Sequence, residues 1–325
     1  MTRATVIGAG VAGLCVATEL VARGCAVTVF DPVLQPGPHH CSWWAGGMLA
    51  PFCEGETAEE PVVRLGQQAA RWWERQGVGV TQRGTVVVAL NRDRRELDRF
   101  ARRIEGHTLL DGSALAALEP DLSGRFDRAL HVTAEAHLDP RAALRHLRTR
   151  LERDGVTFIA EPGHADGLTF DCRGHAARDA LPDLRGVKGE MVVLRAPDIR
   201  LTRPVRLLHP RFPLYVVPRA DGHFMLGATQ IESDDRRRRV RSVLELLSAA
   251  YALHPAFGEA ELVEIGADAR PAFPDNLPRI VRRGETIHVN GLFRHGFLLA
   301  PALARMATEL AFDHSKPEFY YADHG

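Results

Sequence analysis

Ala4-Thr-Val-Ile-Gly8-Ala-Gly10-Val-Ala-Gly13, followed by the apolar run Ala26 to Phe30 that ends at Asp31, decides the fold. Thr5 to Ile7 reads as a buried strand, the glycines as a tight turn opening a helix, and Ala26 to Phe30 as a second, parallel strand. Gly8 allows the turn, Gly10 removes a Cβ that would collide with a pyrophosphate, and Gly13 lets the helix pack closely on the strand. Phosphates would then lie on the N–H groups of Val11 and Ala12 at the helix start. Asp31 stands roughly 20 residues on, where a carboxylate takes a ribose hydroxyl. Pro32, which follows it, is counted with it among the cofactor-binding residues. A dinucleotide is the implied ligand, and the motif alone leaves its kind open.

The chain has 325 residues, with 41 Lys and Arg against 41 Asp and Glu. That length buries a substantial core, and the even balance gives no global field for nucleic acid or an anionic membrane. A small-molecule partner is expected. The five cysteines are odd in number, with no CxxC pair. Without a signal-like start or a long apolar run, a reducing, cytoplasmic setting is expected. A second GxGxxG followed by an acid is absent, so one dinucleotide site is expected.

Downstream, the helical spacing of Val11, Leu14, Leu20 and Val21 ends at Gly24. Cys41-Ser-Trp-Trp-Ala-Gly46-Gly47-Met48-Leu-Ala-Pro51 is too apolar for a solvent loop. Cys41 and Ser42 open it, Gly46 and Gly47 offer N–H groups and close approach, and Met48 can lie against a planar ring. Helices are predicted over 62–75, 93–104 and 113–118, the last capped by Ser113. Asp139 and Pro140 start another, running to Arg153. Strands are predicted over 84–90, 156–159, 168–172, 188–194 and 287–290, with a hairpin of 214–218 and 223–227. The basic run Arg236 to Arg241 reads as a solvated face of the helix 240–253. Gly296 begins a stretch of exposed N–H groups suited to a ring carrying partial negative charge, and an amphipathic helix is predicted over 302–312.

Two stretches far from the glycine turn therefore need an extended ring system, which a nicotinamide dinucleotide leaves without a role. Together with Val187-Lys-Gly-Glu190, Tyr215-Val-Val-Pro-Arg219, Gly227-Ala-Thr229, Ala269-Arg-Pro271 and Phe293-Arg-His-Gly-Phe-Leu-Leu-Ala-Pro301, they make the chain resemble the D-amino-acid oxidase family of flavoproteins, and within it the glycine oxidases of thiamine biosynthesis. The resemblance implies a non-covalent FAD, with Phe293, Arg294, His295, Gly296, Phe297 and Leu298 closing over the flavin. It implies that Arg270 forks onto a substrate carboxylate, that Arg294 and Tyr215 add polar contacts, and that Met48 lies nearby. A forked arginine is the strong way to hold a carboxylate. Gln230 stands where the resemblance implies an apolar residue near the substrate, and the short 155–186 segment leaves adenine contacts unassigned.

The expected architecture is α/β (α+β): a discontinuous Rossmann-like FAD-binding domain over 1–78, 139–188 and 266–325, and an antiparallel-sheet substrate-binding domain over 79–138 and 189–265. The resemblance implies oxidation of glycine or sarcosine to an imine that hydrolyses, with O2 reoxidising the flavin to give hydrogen peroxide. No acid or base catalyst and no metal ligand is assigned. A homo-oligomer is compatible with this reading. The rival readings are a dehydrogenase that passes electrons to a quinone or carrier, and a non-catalytic flavin-binding protein.

Overall fold

The computed structural model describes residues 1–161, 167–209, 213–313 and 315–322. A seven-stranded sheet runs in the order Thr157–Ile159, Ala26–Phe30, Arg3–Ile7, Leu168–Asp171, Thr286–Asn290, Arg279–Arg283, Tyr320–Ala322. Its first five strands are parallel, with Thr5 beside Thr28 and Thr169. Val6, Val29 and Phe170, side by side in register, are fully buried on one face of the sheet, while Thr5, Ile7, Thr28 and Phe30 between them are half-buried. The helices Val11–Ala22, Pro140–Arg153 and Gly296–Phe312 supply much of that cover through Leu14, Leu20, Leu144, Leu147 and Leu303.

A nine-stranded sheet lies beside it, with a path from Ile231–Glu232 through Arg185–Arg195, His223–Gly227, Leu214–Pro218, Val205–Leu208, Thr85–Ala89 and Arg128–Val132 to Thr108–Asp111, and with Glu261–Ala272 paired to Arg185–Arg195 off that path. Its pairs are antiparallel except for Val205–Leu208 against Thr85–Ala89. A three-stranded sheet links Met48–Leu49 through Ala136–Leu138 to Val80–Thr81. The predicted boundaries at 188/189 and 265/266 fall inside the paired strands Arg185–Arg195 and Glu261–Ala272. Positions 162–166, 210–212, 314 and 323–325 of the expected segments lie outside the described residues.

Three local predictions are corrected. The helix predicted over 62–75 is two helices, Glu60–Gly66 and Ala69–Arg75. Leu298 packs on the bare Cα of Gly66, where a Cβ would come within 2.8 Å of Leu298 Cγ, and the chain bends just after it. The helix Gly112–Leu118 is capped by Asp111, which accepts from Ala114 N–H at 2.8 Å, while the Ser113 hydroxyl donates to the same carboxylate. The last helix starts at Gly296 and carries Pro301 inside it. A proline there cannot donate to the Phe297 carbonyl four residues back. Trp73 Nε1 takes that carbonyl instead, at 2.9 Å.

Candidate active site

A single cavity of about 1290 Å³ runs from the glycine turn, past the Trp44 to Met48 stretch, to Arg270 and the start of the last helix. It opens at the carboxyl ends of the parallel strands, where open α/β sheets bind their ligands. Gly8 has φ +100°, and a Cβ there would press to 2.7 Å from the Cys172 carbonyl oxygen. At Gly13 a Cβ would lie 1.8 Å from the Gly8 carbonyl oxygen. Both roles read from the motif hold. At Gly10 the nearest protein atom to a Cβ is Ser42 Oγ at 3.5 Å, so the space beside this glycine belongs to the cavity and a side chain would fill it. Ser42 Oγ accepts from Val11 N–H at 3.1 Å. Gly296 meets Val11 Cγ1 at 3.4 Å from its Cβ position, so two helix amino termini converge on one cavity. Their partial positive charges favour an anionic ligand there.

Asp31 is buried and already structural: its Oδ2 accepts from Ala9 N–H and meets His40 Nε2, both at 2.8 Å, and Oδ1 accepts from Val33 N–H at 3.0 Å. Burial opposes its charge, but the hydrogen bonds from His40, Ala9 and Val33 more than offset this and lower its pKa. His39 Nε2 and His40 Nδ1 are buried and without partners, beside that carboxylate in the cavity wall. Pro32 also lines this end.

The Gly46-Gly47 turn works differently from the sequence reading. Gly46 lies under the Tyr215 ring, 2.9 Å from its Cβ position to Cε2, and Gly47 has φ +70° with the Leu138 carbonyl oxygen 2.3 Å from where a Cβ would stand. Both make room for protein, and half-buried Arg219 donates to the carbonyls of Gly46 (2.6 Å) and Leu138 (3.0 Å) and fixes the turn. Met48 is half-buried opposite His137 and faces the cavity. Cys41 lines it too, its thiol pushed up to about 12 by burial and by Asp268, which keeps it from acting as a thiolate.

Gly227 lies on the other side of the Tyr215 ring, 2.5 Å from Cβ position to hydroxyl, and Gly189 underlies Arg270, 2.1 Å from Cβ position to Nη2. The glycines of three motifs thus clear the space for these two side chains. Burial raises the Tyr215 pKa, leaving a neutral phenol. Arg270 donates to the Thr229 carbonyl, and its Cζ stands 5.9 Å from the centre of the Phe293 ring. It pairs with neither nearby acid, since Asp268 is held by Arg236 at 2.7 Å and Asp275 by Arg279. Among the described residues, every other arginine lining the cavity has a carboxylate partner: Arg173, Arg206, Arg236, Arg239, Arg241 and Arg294. Burial lowers the Arg270 pKa, the signature of a desolvated cation without an anion.

Arg294, expected to add a polar contact to the substrate, is paired within the protein. Its Nε sits 2.8 Å from Glu54 Oε2 and its Nη2 donates to Thr57. Glu54 also takes Arg206 at 2.6 Å and His295 at 3.0 Å. Sequence reading missed this acid, whose only signal was its place just after the Met48 to Pro51 stretch. Phe293 is buried with φ +49°, a left-handed backbone unusual for its type, and its N–H donates to the Pro271 carbonyl at 2.9 Å. Phe297 and Leu298 reach the cavity, but their side chains pack on Trp73 and Gly66. Gln230 is exposed at the cavity edge, directly after Thr229. The basic run is more than a solvated face. Buried Lys188 and Glu190 hold it by the Arg237 carbonyl and the Arg239 N–H, and Arg236, Arg239 and Arg241 line the cavity.

The family of FAD dependent oxidoreductases matches this chain over residues 3–310. The chain belongs to this family, the D-amino-acid oxidase family that the motifs indicated. A Rhizobium etli protein provisionally named thiamine biosynthesis oxidoreductase ThiO is 54% identical over 323 residues, which cover 97% of this chain and 98% of that one. The glycine oxidase of Pseudomonas aeruginosa is 27% identical, over 95% and 94% of the two chains. The crystal structure of glycine oxidase from Geobacillus kaustophilus matches with a TM-score of 0.80 at 21% identity, over 98% and 97%. The protein is therefore an FAD-dependent oxidoreductase of glycine oxidase and ThiO type. The open cradle at Gly10, the two converging helix ends and the cavity's length fit FAD. Among the described residues, no helix is long and apolar enough to cross a membrane.

Proposed function

We propose that the protein oxidises glycine, or a similarly small amine such as sarcosine, at its Cα. The observation that carries this is Arg270, a half-buried residue whose guanidinium has no carboxylate partner among the described residues, facing the cavity beside a neutral tyrosine. A substrate carboxylate completes that pair as a fork, and Tyr215 donates its hydroxyl to it. Because the carboxylate and the amine sit on the same carbon, fixing one end orients the Cα–H bond. Positioning of this kind carries most of the rate. Bound FAD supplies the two-electron acceptor that takes the hydride, and water then hydrolyses the released imine to glyoxylate and ammonia. In our reading O2 is the final acceptor and hydrogen peroxide the second product, and the pathway served is that of thiamine's thiazole, as the name of the 54% identical relative supports.

The glycine turn and the last helix would hold FAD without a covalent bond, with Asp31 toward the adenosine ribose. The segments 1–78, 139–188 and 266–325 would form the cofactor domain, joined to the substrate domain through the two long paired strands.

Holoprotein in air, given glycine, sarcosine, D-alanine and D-proline in turn, tests the reading. Peroxide and glyoxylate in equal amounts from glycine are expected. Turnover seen only with an added artificial acceptor would replace the oxidase by a dehydrogenase.

A further inference from the structure

We propose that Glu54 sets the charge class of the substrate, committing Arg206 and Arg294 so that the cavity accepts one carboxylate, at Arg270, and refuses a second. This rests on the reading that Arg270 takes the substrate carboxylate. Glu54 ends the four-residue helix Pro51–Glu54, and its side chain is 12% exposed. Its two oxygens are divided among three donors: Arg206 Nη2 on Oε1 at 2.6 Å, and Arg294 Nε and His295 Nε2 on Oε2 at 2.8 and 3.0 Å. Burial opposes its charge, but Arg294 and Arg206 outweigh burial, and its pKa lies well below the ordinary carboxylate value.

Four of these facts bear on selectivity. Glu54, Arg206, Arg294 and Arg270 all line the same cavity, and the charges of Arg294 and Glu54 are felt at Arg270, so the cluster lies near a ligand held there. Both guanidiniums of the cluster face a carboxylate that cannot leave, being part of the chain. An incoming second carboxylate must displace Glu54 from them or lie beside a like charge, and either costs binding. The other acid near Arg206, Glu135, accepts from Cys53 N–H with its Oε1 (2.7 Å), and burial raises its pKa.

The substitution Glu54→Gln keeps the size and hydrogen-bonding reach while removing the charge. It leaves two guanidiniums able to take a second anionic group. The test uses FAD-loaded protein and two unreactive ligands, acetate and malonate, with affinity read from the change in the visible spectrum of the bound flavin. Wild type is expected to bind malonate about tenfold more weakly than acetate. Glu54→Gln is expected to shift the malonate-to-acetate ratio at least about tenfold toward malonate, leaving acetate within about threefold. A general loosening of the site would weaken both ligands together, without moving that ratio. An unchanged ratio in the variant, or malonate matching acetate in wild type, overturns the proposal. The wild-type comparison decides the matter if the variant does not fold. Acetate bound equally by wild type and Arg270→Leu would instead overturn the carboxylate reading itself, and this proposal with it.

Discussion

Gly10 and Gly13 stand three residues apart in one motif and do opposite things. Gly13 serves the protein: its Cβ position is 1.8 Å from the Gly8 carbonyl oxygen, so Gly13→Ala is expected to cost the apoprotein about 3 kcal/mol in urea unfolding. Gly10 serves the ligand. With only Ser42 Oγ at 3.5 Å beside its Cβ position, Gly10→Ala should leave apoprotein stability within about 1 kcal/mol and weaken FAD in a fluorescence titration. Equal effects of the two substitutions on both measurements would refute the division. At Arg270, substitution by Leu removes a charge-assisted fork, and kcat/KM for glycine should fall on the order of 100-fold or more while FAD content stays at the wild-type level. The two glycines were legible in the sequence because motif spacing specifies local backbone, and Arg270 was legible only through the family resemblance. Gly46, Gly47 and Glu54 were not, since what they do depends on Tyr215, Leu138, Arg206 and Arg294, all distant along the chain.

At the scale of elements, the last helix shows how a distant side chain can overrule a local signal. Pro301 reads as a helix start, yet it lies inside Gly296–Phe312, because Trp73 Nε1 fills the vacancy on the Phe297 carbonyl. Trp73→Phe keeps most of the packing and leaves that carbonyl unpaired in the core. A loss of about 2 kcal/mol in chemical denaturation is expected, with the first turn of the helix the part disturbed; a neutral outcome would mean that the bond has no structural role. The Glu261–Ala272 strand escaped prediction for a related reason. Glu, Asp, Arg and Pro interrupt its pattern, and it exists through its long register with Arg185–Arg195. The parallel strands were legible because each is a short run of apolar and β-branched residues with one face fully buried. Pairing across the two long strands left no such mark.

Over the whole molecule, the glycine turn and the Phe293 to Pro301 stretch line one cavity, and the last helix, Gly296–Phe312, packs on the first, Val11–Ala22. Acid stability is also a property of the whole. Burial, with Arg219 and Arg83 adding to it, depresses the pKa of His137 to about 4, from an ordinary value of 6.5. A base depressed on folding gives stability that is fully present above the unfolded value and lost as pH falls from 6.5 toward 4. The loss over that window is about 3 kcal/mol, and unfolding of His137→Gln should lack this part of the pH dependence. The central claim is that Arg270 presents a small amino acid's Cα to FAD, and anaerobic titration of the yellow holoprotein with glycine tests it most directly. The account predicts that glycine bleaches the visible flavin absorbance of wild type, and that Arg270→Leu, carrying the same FAD, stays oxidised at concentrations that fully reduce wild type. Oxidised absorbance persisting in wild type at saturating glycine, or equal bleaching of the variant, would contradict it.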